Sequence, residues 1–355
     1  VIGSTTTTGE KWANESTVKT NDDYGGGGLY FNSSLTSNPV QVTFENTIIS
    51  KNKSVRNGGG IYCTTGFVLT EKNNNNSKFT IQNNYTGKDG GGIYLKGYSN
   101  INYATIKDNK TGTNGCGGGV YIVNDNSYFN NGNPGLVNCY ISGNTAYDGG
   151  GIFTQTTKLF TGITLNSDGT FTNGTTVSGN SSSHTEDFHP TAGICCANDC
   201  SVSGFEITSN NGSGLYGNAS LSVENLIVSG HTDGNHGFGI ATNYLTQQGS
   251  ETNLQLYIEN STTNTLNIHD NTWDIFFYAG HLSVPYNRTD FNCTQKLKPY
   301  TTVQENTILL AANTTKENTA KAINYFDFSD SRYSAFFLFD TGLLSDNPSD
   351  TSQSY

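Results

Sequence analysis

Ile141-Ser142-Gly143-Asn144-Thr145-Ala146-Tyr147-Asp148-Gly149-Gly150-Gly151-Ile152-Phe153 is the stretch that decides the fold. Both of its ends recur. The glycine end returns as Gly26-Gly27-Gly28-Leu29-Tyr30, Gly58-Gly59-Gly60-Ile61-Tyr62, Gly90-Gly91-Gly92-Ile93-Tyr94 and Gly117-Gly118-Gly119-Val120-Tyr121. Degenerate copies follow at Gly193-Ile194-Cys195, Gly214-Leu215-Tyr216 and Gly239-Ile240-Ala241. The other end, a β-branched residue followed three positions later by Asn, returns at Ile49/Asn52, Ile81/Asn84, Ile106/Asn109, Val177/Asn180 and Ile207/Asn210. Val228/His231 is a variant, and Ile268/Asn271 and Val303/Asn306 carry the pattern further.

Two linked motifs in fixed order, repeated about every thirty residues, are the mark of a stacked-repeat architecture. A short strand with β-branched residues at alternate positions stacks on the same strand of the next coil, ~4.8 Å away. Asn tolerates a left-handed backbone at the turn, and stacked copies pass hydrogen bonds from coil to coil. Glycine supplies positive φ, or lets backbones approach where a side chain would clash. The following Ile or Val then points inward and the next residue, an aromatic, to the other face. A helix is excluded, because each glycine costs about 1 kcal/mol relative to Ala there. A phosphate-binding loop is excluded too, because it needs one glycine-rich turn opening a helix.

The pairing resembles the repeat of the chlamydial polymorphic outer membrane proteins, with its F-x-x-N and G-G-A-[ILV] motifs. Ile or Val stands here where that repeat has Phe, and a third Gly where it has Ala. The resemblance covers roughly residues 20–310. It implies an all-β chain folded as a right-handed parallel β-helix of about eight to ten coils, displayed at a cell surface, commonly for adhesion. The expected organisation is an N-terminal entry or cap over 1–24, β-helix repeats over 25–310, and an aromatic-rich cap or docking segment over 311–355.

Composition agrees with this and removes other classes. The chain has 355 residues, 42 Gly, 20 Tyr and 19 Phe, and only 13% of it is charged. A disordered chain would be poor in aromatics and rich in charge. The net charge is −11 and the only arginines are Arg56, Arg288 and Arg332, so nucleic acid is excluded as a partner and anionic membrane surfaces are disfavoured. No run of about 18 apolar residues is present to span a bilayer. The lack of Met implies a chain that begins at a processed or excised end.

The cysteines are Cys63, Cys116, Cys139, Cys195, Cys196, Cys200 and Cys293. In a secreted protein they are disulfide candidates, and their odd number leaves at least one free or paired outside the chain. Their connectivity stays open. The acceptors expected to carry N-linked glycans lie in loops: Asn32, Asn75, Asn173, Asn218, Asn260, Asn287 and Asn313. The sequons at Asn52, Asn84, Asn109 and Asn180 coincide with the repeat Asn, which has no room for a sugar if it stacks inside the coil. Tyr30, Tyr62, Tyr94, Tyr121, Phe153 and Tyr216 are expected to form an aromatic ladder along one face. It serves either as packing under the loops or as a surface for sugar rings or a neighbouring chain.

No catalytic, cofactor or metal site is expected. His184-x-Glu186-x-x-His189 lacks the helical zinc-protease spacing and reads as a loop. Asn21-Asp22-Asp23 and Gly230-His231 are only fragments of polygalacturonase-type motifs. The expected function is that of an extracellular structural or adhesive solenoid, associating with itself or with neighbouring extracellular chains. The alternative is a carbohydrate-binding or polysaccharide-degrading, pectin-lyase-like β-helix.

Overall fold

The computed structural model describes residues 25–32, 40–64, 66–72, 78–96, 99–123, 135–161, 164–166, 171–172, 174–184, 191–232, 237–242, 252–256, 266–277, 280–284, 292–293, 297–298 and 306–310. Every regular element among them is a strand. The strands close into a parallel β-helix, in which they pair with their counterparts in neighbouring repeats, except Thr164–Leu165 and Phe171–Thr172, which pair antiparallel with each other. A glycine sheet of ten strands runs from Leu29–Phe31 to Leu297–Lys298, and an asparagine sheet of nine from Ile48–Ser50 to Asn292–Cys293. Coils are numbered here by their strand in the glycine sheet. The proposed caps at 1–24 and 311–355 lie outside the described residues.

The register follows the motifs. Ile61 pairs with Ile93 and Tyr62 with Tyr94, while Ile49 pairs with Ile81 and Ile106 with Ile141. Strand alternation sends one column of each sheet inward. Ile61, Ile93, Val120, Ile152, Ile194 and Leu215 therefore face Ile81, Ile106, Ile141, Val177, Ile207 and Val228 across the interior, all without solvent exposure. Each such side chain gains ~1.5–3 kcal/mol from burial.

The third face is split. A four-stranded sheet ends at Leu136–Val137 in the fourth coil, and a six-stranded sheet begins at Lys158–Phe160 in the fifth. The buried hydroxyl of Thr175 donates to the Leu136 carbonyl at 2.6 Å and accepts the Cys139 N–H at 3.2 Å. A side chain thus satisfies a carbonyl at the end of the shorter sheet.

The glycine triplet is explained position by position at Gly58–Gly60. Gly58 has φ +73°, in the left-handed region. A Cβ on Gly59 would stand 2.3 Å from the Gly91 carbonyl oxygen of the next coil. One on Gly60 would stand 2.7 Å from the Gly92 carbonyl and 3.0 Å from Asn84 Nδ2. The sixth coil keeps only the third glycine, Gly193; the seventh and eighth keep the first and third, as Gly212/Gly214 and Gly237/Gly239.

One detail corrects the expectation from sequence. The left-handed residue is not the repeat Asn but the residue before it: Lys51, Asn83, Asp108, Gly143, Gly179, Ser209, Gly230 and Asp270 all have φ between 52° and 72°. The Asn itself is freed to bond along the stack.

Candidate functional site

The motif side chains build two internal columns. In the first, Asn52, Asn84, Asn109, Asn144, Asn180 and Asn210 stand one above another, at most 5% exposed. The backbone N–H and Nδ2 of Asn84 both donate to Oδ1 of Asn109, at 3.0 and 2.9 Å. The second Nδ2 hydrogen goes back to the Ile49 carbonyl at 3.0 Å. The same set recurs at Asn109, Asn144 and Asn180. Both Nδ2 hydrogens are used and each Oδ1 between rungs accepts twice, so burial leaves no unmet polar group on these amides.

His231 occupies the seventh rung. Its Nε2 lies 3.2 Å from Asn210 Nδ2 and its Nδ1 2.7 Å from Asn271 Oδ1. An amide nitrogen only donates and an amide oxygen only accepts, so Nε2 is bare and Nδ1 carries the proton. Burial, opposed by the bond to Asn271, lowers the imidazole from 6.5 to about 4. The Gly230-His231 fragment thus supplies a rung of the column.

The second column is the aromatic ladder. The rings stack from Tyr30 to Tyr62, Tyr94, Tyr121 and Phe153, with centroids 5.4, 5.0, 5.2 and 4.9 Å apart. Two expectations are corrected here. The ladder is not a surface: Tyr62, Tyr121, Phe153 and Tyr216 are buried and Tyr94 is half-buried, leaving Tyr30, at 38%, as the exposed rung. Nor is it continuous, because Cys195 stands between Phe153 and Tyr216 in the register. Cys116, Val123 and Ala197 pack against the buried rings. Sequence could not show that cover, because it comes from a strand end and corner segments without a shared pattern.

A polar cluster adjoins the stack where the glycine turns enter. His184 Nδ1 lies 3.1 Å from Asp148 Oδ1 and Nε2 3.1 Å from the Tyr147 hydroxyl, while the Thr191 hydroxyl donates to Asp148 at 2.9 Å. Glu186 and His189 of the expected loop lie outside the described residues. Among the described residues no three His, Cys, Asp or Glu side chains converge as a metal site. Cys116 sits between Asp89 and Asp148, and burial, reinforced by both carboxylates, pushes its thiol up to about 12. That is the opposite of what a nucleophilic cysteine requires.

Cys63, Cys116, Cys139, Cys195, Cys196 and Cys200 are free thiols in the structure. All are buried except Cys116, which is half-buried, and nothing is described of the Cys293 side chain. Asn32 is exposed and Asn218 half-exposed. Asn75, Asn173, Asn260, Asn287 and Asn313 lie outside the described residues, as does Asn21-Asp22-Asp23.

The outward columns of the asparagine sheet carry mostly polar side chains. Thr80, Thr105, Thr176 and Glu206 share one with Ile48 and Tyr140, and Gln82, Lys107, Ser142, Ser178 and Thr208 form the other. Ile48 is 57% and Tyr140 41% exposed.

The architecture is that of a repeat solenoid whose motif residues are spent on holding coils together. The sequence model of the Chlamydia polymorphic membrane protein repeat matches this chain at residues 46–64, 78–96 and 138–155. Each match runs from an asparagine-sheet strand through the ladder Asn and the glycines to the following glycine-sheet strand. The chain thus resembles the proteins that carry this repeat. No curated protein and no solved structure matches it.

Proposed function

We propose that this chain is a non-catalytic cell-surface solenoid that acts as a rigid structural or adhesive segment. The observation that carries the reading is the asparagine column, in which the recurrent polar residue of the motif is consumed by internal bonds. The repeat match supports a cell-surface location. Strands on all three faces hold the coils in one stack, and ten glycine-sheet strands extend it about 43 Å along its axis. A stiff rod with polar, sparsely charged faces suits display and contact more than turnover. The test has two arms. Chain coated on beads is expected to attach them to target-cell surfaces, and a panel of neutral and acidic polysaccharides is expected to stay intact. Turnover abolished by replacing one Asp or Glu would overturn the reading in favour of an enzyme.

A carbohydrate-binding role is the second reading, and Tyr140 favours it. Its ring stands on the outward face between Thr105 and Thr176, with the Ser178 hydroxyl 3.3 Å from its own. Aromatic rings beside hydroxyls are what sugar faces bind. Glycan-array binding lost in Tyr140→Ala supports this role, and binding unchanged by that substitution removes it.

A further inference from the structure

Seven cysteines allow many pairings, but the coil geometry removes almost all of them. Cys63 lies in the second coil, Cys116 and Cys139 in the fourth, Cys195, Cys196 and Cys200 in the sixth, and Cys293 in the ninth. Cysteines in different coils are therefore separated by at least two coil steps, roughly 10 Å. A disulfide requires Cα atoms within about 7 Å. Only partners in one coil remain. Cys116 packs in the aromatic cluster and Cys139 in the main core, and Cys195 and Cys196 divide between the same two clusters. Cys200 shares the main core with Cys196.

Cys196 ends strand Thr191–Cys196 and Cys200 begins Cys200–Ser203, across the turn Ala197-Asn198-Asp199. The seventh coil measures this corner independently. Gly217 pairs with Cys196 and Leu221 with Cys200. A Cβ placed on Gly217 would lie 2.5 Å from Leu221 Cγ. One bond of about 1.5 Å separates Cγ from Cβ, so the two Cβ positions fall within about 4 Å of each other. That matches the ~3.5–4.5 Å of a disulfide. The second coil puts Cys63 and Phe67 at this corner and the third Leu95 and Ser99; among the described residues, the sixth alone has cysteine at both places.

We propose that Cys196 and Cys200 form a disulfide within the sixth coil when the chain folds in an oxidising compartment. The two thiols lose two protons and two electrons to an external disulfide, such as oxidised glutathione, which is cleaved to two thiols as the Sγ–Sγ bond forms. The bond forms during folding rather than after the coil has closed. The Cys200 side chain bonded to Cys196, together with burial, holds the Cys196 thiol well above its ordinary range, so thiolate is scarce once the coil has closed. It fixes the corner of the coil in which the first two glycines of the triplet give way to Thr191 and Ala192 and the pairing slips between Thr191 and Ile194.

The test refolds the full chain from denaturant in oxidised and reduced glutathione. Free thiols are then blocked with N-ethylmaleimide in denaturant, and the chain is cut before Asp199 with an Asp-directed endoproteinase. The fragments carrying Cys196 and Cys200 are expected to stay joined until reduced, both sulfurs unblocked, while Cys195 is blocked. Cys200→Ser is expected to move Cys196 into the blocked pool with no new pairing. Blocking of both Cys196 and Cys200 in the refolded wild type overturns the proposal, as does a link from either to another cysteine. The wild-type map decides the matter even if the variant fails to fold.

Discussion

His231 shows how one substitution changes the chemistry of a rung without breaking the column. Its folded value of about 4 lies below the ordinary 6.5. Between those values the unfolded chain binds a proton that the folded chain does not, so stability rises with pH across this window. The contribution is present above about 6.5 and is lost as the pH falls toward 4, by about 3 kcal/mol in all. Protonation would also set Nε2–H against the donating Asn210 amide. Urea unfolding at pH 7.5 and 4.5 is expected to show the wild type losing about 2–3 kcal/mol more than His231→Asn, which restores the amide rung. An equal loss in both would mean that His231 is not the group responsible. Lys51 makes a second case: a side chain at φ 58° is strained in a position glycine fills freely. Lys51→Gly is expected to gain about 0.5–1 kcal/mol, measured as a higher denaturant midpoint at unchanged slope.

The asparagine column is the element whose integrity matters most. Asn109→Ala removes the acceptor of the Asn84 N–H and Nδ2 and the donors to Ile81 O and Asn144 Oδ1. Stranded polar groups are the expensive outcome, so this variant is expected to lose about 3–5 kcal/mol. Asn52→Ala, whose described side-chain bond is its donation to Asn84 Oδ1, is expected to lose about 1 kcal/mol. Equal losses would refute a column that shares its load among neighbours. The column was legible in sequence because its chemistry needs one residue type at one spacing, and even His231 stood out as a variant of it. The left-handed position before each rung was not legible. Lys, Asn, Asp, Gly and Ser all occupy it, since it faces solvent and its backbone alone is specified. The split third face was hidden for a related reason: Thr175 and Cys139 look like ordinary strand residues until their bonds are seen. The aromatic ladder was read in the right place with its surroundings left open between packing and surface, because a strand records which way a ring points and not what covers it.

At the scale of the molecule, each coil touches only its neighbours, so damage should stay local. Ile93→Ala is expected to lose about 2–5 kcal/mol and to speed amide exchange in the second to fourth coils, leaving Leu221–Glu224 at wild-type protection. Uniform loss of protection would mean that the stack unfolds as one unit. Burial also sorts the sequons. When a glycosylating host secretes the chain, mass spectrometry is expected to find sugar at Asn32 and none at Asn84 or Asn109. Occupancy at either of the latter would place the column outside the coil. The column carries one more implication, which lies in its sense. From Asn52 to Asn180 each rung gives one Nδ2 hydrogen, with its backbone N–H, to the oxygen of the following rung. The file of amides is therefore an arrow: it offers donors at its C-terminal end and asks for them at its N-terminal end. Further coils extend such a file only in the same sense, head to tail. Two files meeting head to head would set oxygen against oxygen, and tail to tail hydrogen against hydrogen.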